Sequence, residues 1–524
     1  MQIGGRGTYK TAMGGAGGAC ARRWVLGAIA LLLTSRPAAA VVLTDGRLGR
    51  WSASGYAEGY GVWAVEHDSQ RQRPEGILDA QLTGELRRKA RFFLDLRSLI
   101  GGPAEDARGI GFVNISDTFQ NVSPEVEIPE GYLDLFLPSL DVRVGKQKFA
   151  WGKLDTFQPT DVLDPRRYTD PFVTEEQDAK IGIPALRASY FPPALGPAFP
   201  RETSLTLVWI PVPVPVRFPL PGERWFPSAL LLPPTFPIYQ GVIASGVPRI
   251  NVRSDLTADN VTPPHQLDEG AVGLRLAGLL AGADCALYYY DGPETAPAFD
   301  LATRVHARAP ALTPGGAARI QADTQLRPRF GRIWLAGGDV AVPLGGFTAR
   351  VEAAYGADRL LPRPVQSLVS PANLRRLGPQ ATDILTALQM GKTVPVDLGP
   401  LFLARDTVEW GAGIDYRYRG WMPVLQINQT LVLHNTTELL VNDVDTRLFL
   451  VVRRSFLDER LGSEVGAVQE FERGYTTGLA RVTYALSDHW RVRLGYLLIA
   501  GTRRSRVGQY HDNDEAFLQL RYVY

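Results

Sequence analysis

The sequence predicts an all-β fold, a transmembrane antiparallel β-barrel of about eighteen strands with short turns at one end and long loops at the other. Three observations carry that prediction. Segments of about ten residues alternate apolar and polar side chains along most of the chain. The connections between these segments alternate short and long. No apolar run approaches the roughly 18 residues expected of a membrane-spanning helix.

The alternation is clearest in four stretches. In "WRVRLGYLLI", Trp490, Val492, Leu494, Tyr496 and Leu498 oppose Arg491, Arg493 and Gly495. In "EWGAGIDYRYR", Trp410, Ala412, Ile414, Tyr416 and Tyr418 oppose Glu409, Asp415, Arg417 and Arg419. "LDAQLTGELR" sets Leu78, Ala80 and Leu82 against Asp79, Gln81 and Thr83, and "FTARVEAAY" sets Phe347, Val351 and Tyr355 against Arg350 and Glu352. One face is apolar with aromatics near its ends; the other is polar and often charged. A tilted strand of about ten residues crosses hydrocarbon with lipid on one face and water on the other.

A soluble sandwich alternates too, so the connections decide. Strands are expected at 51–65, 76–87, 90–99, 131–137, 141–149, 182–191, 202–210, 268–278, 282–291, 330–342, 345–356, 406–418, 421–433, 444–455, 462–470, 475–486, 489–500 and 514–524. "RK", "PSL", "LLA", "PL", "RG" and "SD" are tight turns between them, and longer loops fill the other gaps, among them 150–181, 211–267 and 357–405. A sandwich has no reason to keep that parity; an outer-membrane barrel does. Two gaps strain it: 471–474 is short on the long side, and 192–201 is long on the short side. An even strand number puts both termini on the periplasmic side. The count falls to sixteen if the weakest segments, 131–137 and 462–470, do not form.

The N-terminus reads as an export signal spanning residues 1–40. Arg22-Arg23 precedes the apolar "WVLGAIALLL", and Ala38-Ala39-Ala40 offers a small-residue cleavage site. Residues 41–524 then form a single barrel domain. Cys20 lies in the leader, which leaves Cys285 alone in the exported chain; no internal disulfide and no Cys-based metal site is expected. No CxxCH haem motif occurs, and no cofactor is expected. A net charge of +2 gives no electrostatic case for nucleic acid. The six histidines fall in no catalytic setting with serine, so the chain is not expected to be an enzyme.

The passage "GKQKFAWGKLDTFQPTDVLDPRRYTDPF" crowds charge into the connection after strand 141–149. Lys153, Asp155, Asp161, Asp164, Arg166 and Arg167 are candidates for a pore constriction or loop site, where opposed charges filter solutes. Pro159, Pro165 and Pro171 fix backbone angles, so the loop holds a shape without a helix. The plainer alternative is a solvated loop whose charges pair with one another. Candidates for the lumen wall are Arg87, Arg97, Arg143, Arg350, Arg417, Arg491, Arg493 and Arg521. A basic lumen favours anions; the competing use of these side chains is a bracing ladder of Arg–carboxylate pairs. Residues 211–264 are Pro-rich, a density that argues against ladder pairing. Their Trp225, Phe226, Phe236 and Tyr239 fit an entrance, a docking surface or a plug. Residues 370–391 have the pattern of a short amphipathic helix.

"VRVGKQKFAWGKLDTFQPTDVLDPRRY" with "DAKIGIPALRASYFP" resembles a group of poorly characterised porin-like outer-membrane barrels of Gram-negative bacteria, which share a GKQxxxWGxxD…PxD…P pattern. Gly145, Lys146, Gln147, Trp151, Gly152, Asp155, Pro159, Asp161 and Pro165 match it; Arg167 and Gln158 depart from it. The resemblance implies fold and location rather than substrate. The closing "DEAFLQLRYVY" is similar to the terminal strand signal read by the barrel-assembly machinery. The expected partners are therefore outer-membrane lipid, that machinery and a small-molecule solute. The expected function is a porin-like channel for small solutes, anionic or apolar. The alternative is a structural sleeve that holds a partner, such as a multihaem cytochrome, across the outer membrane.

Overall fold

The computed structural model describes residues 41–46, 49–65, 76–86, 89–100, 125–168, 176–193, 200–216, 224–227, 235–239, 249–258, 270–307, 318–370, 390–436 and 439–524 except 504, with isolated positions between 371 and 389. The predicted leader and Arg87 lie outside the described residues, as does most of the predicted helix at 370–391.

Eighteen strands close into one antiparallel ring. They are β1 (Gly49–Ala64), β2 (Gly76–Leu86), β3 (Ala90–Ile100), β4 (Gly131–Leu137), β5 (Leu140–Gln147), β6 (Ile183–Tyr190), β7 (Arg201–Ile210), β8 (Ala271–Leu280), β9 (Ala283–Pro293), β10 (Arg332–Leu344), β11 (Phe347–Pro362), β12 (Phe402–Tyr416), β13 (Trp421–Val432), β14 (Val444–Phe456), β15 (Leu461–Glu470), β16 (Tyr475–Ala485), β17 (Trp490–Gly501) and β18 (Glu515–Val523). Every predicted segment is present. The two weakest, β4 and β15, are paired on both sides, so the count is eighteen and not sixteen.

Closure is local chemistry. β18 runs against β1, with Glu515 opposite Ala64 and Val523 opposite Tyr56. The terminal Tyr524 exchanges backbone hydrogen bonds with Gly55 at 3.0 and 3.1 Å, and its hydroxyl donates to the Asp79 carbonyl at 2.8 Å. A closed ring leaves no unpaired edge in hydrocarbon, where each orphaned backbone group costs several kcal/mol. The tight turns have their own sequence cause. Ala281-Gly282 and Arg419-Gly420 carry positive φ at both central positions, the geometry that matches the twist of paired strands.

The outer surface is apolar. Leu205, Leu207, Leu274, Leu276, Leu287, Val351, Leu425, Leu450, Val465, Leu494 and Leu518 are all exposed, and Val351 and Leu494 lie on the apolar faces expected for their strands. A water-soluble protein does not expose so continuous a band; lipid accepts it. Trp63, Trp209, Tyr289 and Trp334 fringe the band at the long-loop end, and Phe347, Tyr418 and Trp421 at the short-turn end. Arg454 lies 4.2 Å over Trp421 and 4.4 Å over Phe456, a cation placed where headgroups begin.

The long loops carry regular structure of their own. Thr235–Tyr239, Arg249–Ala258, Ala318–Arg329, Ala298–Ala307 and Val394–Val396 form a separate five-stranded sheet. The expectation that Pro-rich 211–264 cannot pair is corrected here. Pro237 sits in a strand paired to Arg249–Ala258. That strand is the edge of its sheet, the one position where a missing N–H leaves no ladder bond unmade.

Candidate functional site

The connection between β5 and β6 turns inward and lies along the inner wall. Phe149, Trp151 and Leu163 pack on inward side chains of β6 to β10, among them Ile183, Val208, Ala271, Tyr288 and Leu335. The inner face here is therefore apolar and buried under chain rather than wet, which corrects the expectation of a uniformly polar lumen. Glycines make room for the loop. A Cβ at Gly273 would stand 2.8 Å from the Trp151 ring, one at Gly337 2.9 Å from Thr160, and one at Gly411 2.6 Å from Leu154. From the loop's side Gly152, at φ +83°, would place a Cβ 2.7 Å from the Glu352 carboxylate.

Glu352 is the fastening. It is wholly buried, the sixth of the 16 residues of β11. Its Oε2 accepts the backbone N–H of Lys153 at 2.9 Å and of Leu154 at 3.3 Å. Its Oε1 accepts the backbone N–H of Thr160 at 2.8 Å and the Thr160 hydroxyl at 2.7 Å. Further round the wall, Gln426 on β13 accepts the Asp155 N–H at 3.0 Å and donates to the Thr156 carbonyl. Asn428 donates to the Phe157 carbonyl at 3.0 Å, and the Arg447 guanidinium lies 4.6 Å over the Phe157 ring. The loop thus lines the wall from β6 to β14.

The six charged loop candidates all have partners. Lys153 Nζ binds Asp339 at 2.6 Å and Asp284 at 3.0 Å on the wall. Asp155 accepts from Arg350 at 3.2 Å, and Arg350 also holds Asp415. Asp161 binds both Arg166 and Lys180 at 2.9 Å. Asp164 accepts the Phe149 N–H at 2.7 Å, and Arg167 donates to Glu127 at 2.7 Å. Two of the six fasten the loop to the wall; Asp161, Asp164 and Arg166 hold it to itself; Arg167 ties it to the segment above β4.

Asp164 makes the loop sensitive to pH. Burial pushes its carboxyl up to about 8, against the opposing pull of Lys180. The unfolded chain gives up that proton near pH ~4, whereas the folded loop keeps it to about 8. The folded state binds the extra proton, so this group's support is complete below the lower value and is lost as the pH rises through the upper one. Wild-type protein is expected to lose thermal stability relative to Asp164→Asn between pH ~5 and ~8; parallel melting curves across that window would contradict the assignment.

The lumen-wall candidates divide. Arg97 pairs with Asp79 and Asp178, each at 3.1 Å, Arg143 with Asp134 at 2.6 Å, and Arg521 with Glu58 at 2.5 Å. Arg493 donates to the Thr483 hydroxyl at 3.1 Å, and Arg491 is exposed at the short-turn end of β17. Arg417 lies one residue past β12, exposed in the turn, and not on the wall. The arc that residues 149–163 do not reach, β15 to β18 and on through β1 to β5, carries Arg481, Arg491, Arg493, Arg521, Arg97 and Arg143.

A second loop reaches this arc. Trp225, from the connection between β7 and β8, is 1% exposed and packs on the inward Leu497, Ile499 and Phe517 of β17 and β18. Its ring meets Tyr510 edge-on at 5.5 Å. Arg224 donates to the Asp514 carbonyl at 3.2 Å, and Asn513 donates to the Arg224 carbonyl at 2.8 Å. β7 and β8 stand nearly opposite β17 and β18 in the ring of eighteen, so this segment straps the mouth. Trp225 is thus packed on the inner wall and not exposed at an entrance.

A closed ring with a lipid-facing exterior and an inward-folded loop defines a porin-like transmembrane β-barrel. No family model matches the chain, and no curated protein matches its sequence. Among solved structures it is similar to OccAB1 of Acinetobacter baumannii, with 8% identity, 94% of this chain and 99% of that one covered, and a TM-score of 0.44. The outer membrane channel DcaP of Acinetobacter baumannii gives 9% identity, 92% and 100% coverage, and a TM-score of 0.39. OpdK of Pseudomonas aeruginosa, solved with vanillate, gives 6%, 90% and 98%, and 0.42. Likenesses of this degree say nothing of what passes through this chain.

Proposed function

We propose that the chain is a porin-like channel of a Gram-negative outer membrane that passes small solutes and favours anions. One observation supports this reading above the others: the inner wall is asymmetric. Residues 149–163 cover β6 to β14, and the remaining arc carries Arg97, Arg143, Arg481, Arg491, Arg493 and Arg521. A barrel of this strand number encloses more space than its own wall side chains fill. Guanidinium groups lining such a passage attract anions and repel cations.

The sleeve reading is the weaker one. A loop fixed to the wall and a strap across the mouth take up room that a threaded partner would need. In planar bilayers under a salt gradient, the reversal potential is expected to have the sign of chloride over potassium. Replacing Arg491, Arg493 and Arg521 together by glutamate is expected to reverse that sign. A wild-type channel that prefers potassium, or one whose sign the triple variant leaves unchanged, contradicts the proposal.

A further inference from the structure

We propose that Arg187 and the adjacent Arg143 form an oxyanion-binding site on the inner wall of β5 and β6, where the carboxylate or phosphate group of a solute is held in transit. This deepens the channel reading above and rests on it.

The argument starts from register. Arg91 on β3 stands opposite Asp134 on β4, Asp134 opposite Arg143 on β5, and Arg143 opposite Arg187 on β6. Four consecutive strands therefore place three guanidiniums and one carboxylate in a single row. The row faces inward, because the neighbouring Leu135, Val144 and Tyr190 are exposed on the lipid side.

Asp134 is fully engaged by one of the three. Its Oδ1 accepts Arg143 Nε at 2.6 Å and its Oδ2 accepts Arg143 Nη2 at 2.9 Å. The Arg143 guanidinium also lies 3.7 Å over the Tyr132 ring, which fixes its plane. Arg187 is left facing a like charge, and on its other side stands the fully buried Val208. The Nε of Arg187 is buried and donates to nothing among the described residues, and the same holds for the Nε of Arg91. Other inward arginines have a carboxylate: Arg453 and Arg481 share Glu464, and Arg521 has Glu58.

Like charges directly opposite on paired strands destabilise a sheet, and a buried N–H without an acceptor costs free energy as well. Both costs are removed by an anion lying between the arginines. The planar donor fork of guanidinium matches two oxygens of one carboxylate or phosphate. Chloride offers both donors a single centre and matches the parallel fork less well.

The test is calorimetric titration of the detergent-solubilised protein with inorganic phosphate and with acetate, against chloride at equal ionic strength. Either oxyanion, or both, is expected to bind, and the comparison shows which group the site prefers. Arg187→Ala is expected to weaken that binding by at least about tenfold, and Arg187→Lys nearly as much, since it keeps the charge but loses the fork. Arg417→Ala, in the exposed turn, is expected to change nothing. Heat-modifiable gel migration shows that each variant is folded. Unchanged affinity in Arg187→Ala, full affinity in Arg187→Lys, or an equal loss in Arg417→Ala overturns the site. A wild type that conducts chloride yet binds neither oxyanion overturns the site and leaves the channel standing. One that binds an oxyanion but never conducts overturns the channel reading instead.

Discussion

Replacing Glu352 by leucine raises single-channel conductance at least about twofold and opens the Lys153–Leu154 bond to added trypsin, in a barrel that stays closed. The carboxylate accepts four hydrogen bonds from one short stretch of loop. Hydrogen bonds to a charged group are worth about 1.5–3 kcal/mol each, and a buried N–H left without an acceptor costs about 1–3 kcal/mol. The variant thus weakens loop seating by something on the order of 5 kcal/mol. A shift of that size carries a two-state equilibrium from almost wholly seated to almost wholly released. The wall loses little, because β11 keeps its ladder bonds to β10 and β12. Glu352→Gln is expected to fall between the two, since it keeps the shape but turns an amide donor toward backbone N–H groups. Unaltered conductance together with unaltered trypsin resistance in Glu352→Leu would show that something else holds the loop.

The strap gives the second large effect. Trp225→Ala removes a ring that is buried against Leu497, Ile499 and Phe517. Large-to-small changes of this kind cost about 3–5 kcal/mol. What remains to hold the segment includes the hydrogen bonds between Arg224 and the Asn513–Asp514 turn, the Arg224–Glu515 ion pair at 3.9 Å and the buried Phe226. Trypsin is expected to cut after Arg224 in the variant and not in the wild type. Open-channel current noise is expected to rise as the freed segment moves in the mouth. Equal protection of Arg224 in both proteins contradicts the strap.

Much of the barrel was legible because hydrocarbon imposes a simple rule on each strand. Period-two alternation and the parity of loop lengths located all eighteen strands, including "GYLDLFL" and "LGSEVGAVQE", whose own signals are weak. The pairs Arg97–Asp79 and Arg521–Glu58 follow from the same alternation once the register is known. The loop's path did not follow. Its fastening lies 192 to 199 residues away in sequence, on β11, and nothing local to "WGKLDTFQPT" names Glu352 as the acceptor.

Two signals for that path were nonetheless present. "LTLVWI" in β7 breaks the alternation, with Val208 and Ile210 apolar on the inward side, which is what a strand covered on both faces looks like. Gly273, Gly337 and Gly411 stand at inward positions of β8, β10 and β12. Glycine weakens a strand and recurs where another backbone or ligand comes close. The loop-borne sheet was missed for a different reason. Proline density was read as a bar to pairing, yet one proline on an edge strand costs no ladder bond.

The central claim is that residues 149–163 lie inside the ring against the wall of β6 to β14. A pair of cysteines, introduced as Leu154→Cys and Gly411→Cys with Cys285→Ser to remove the native thiol, tests it most directly. A Cβ at 411 comes within 2.6 Å of Leu154 Cδ1, so the two introduced side chains point at each other across the loop–wall contact. Mild oxidation of the folded double variant in membranes should give one peptide joining 154 to 411, and Glu352→Leu added to it should reduce the yield. Recovery of both introduced thiols free, with the one at position 154 labelled by an impermeant thiol reagent from outside, would place the loop beyond the mouth and contradict the account.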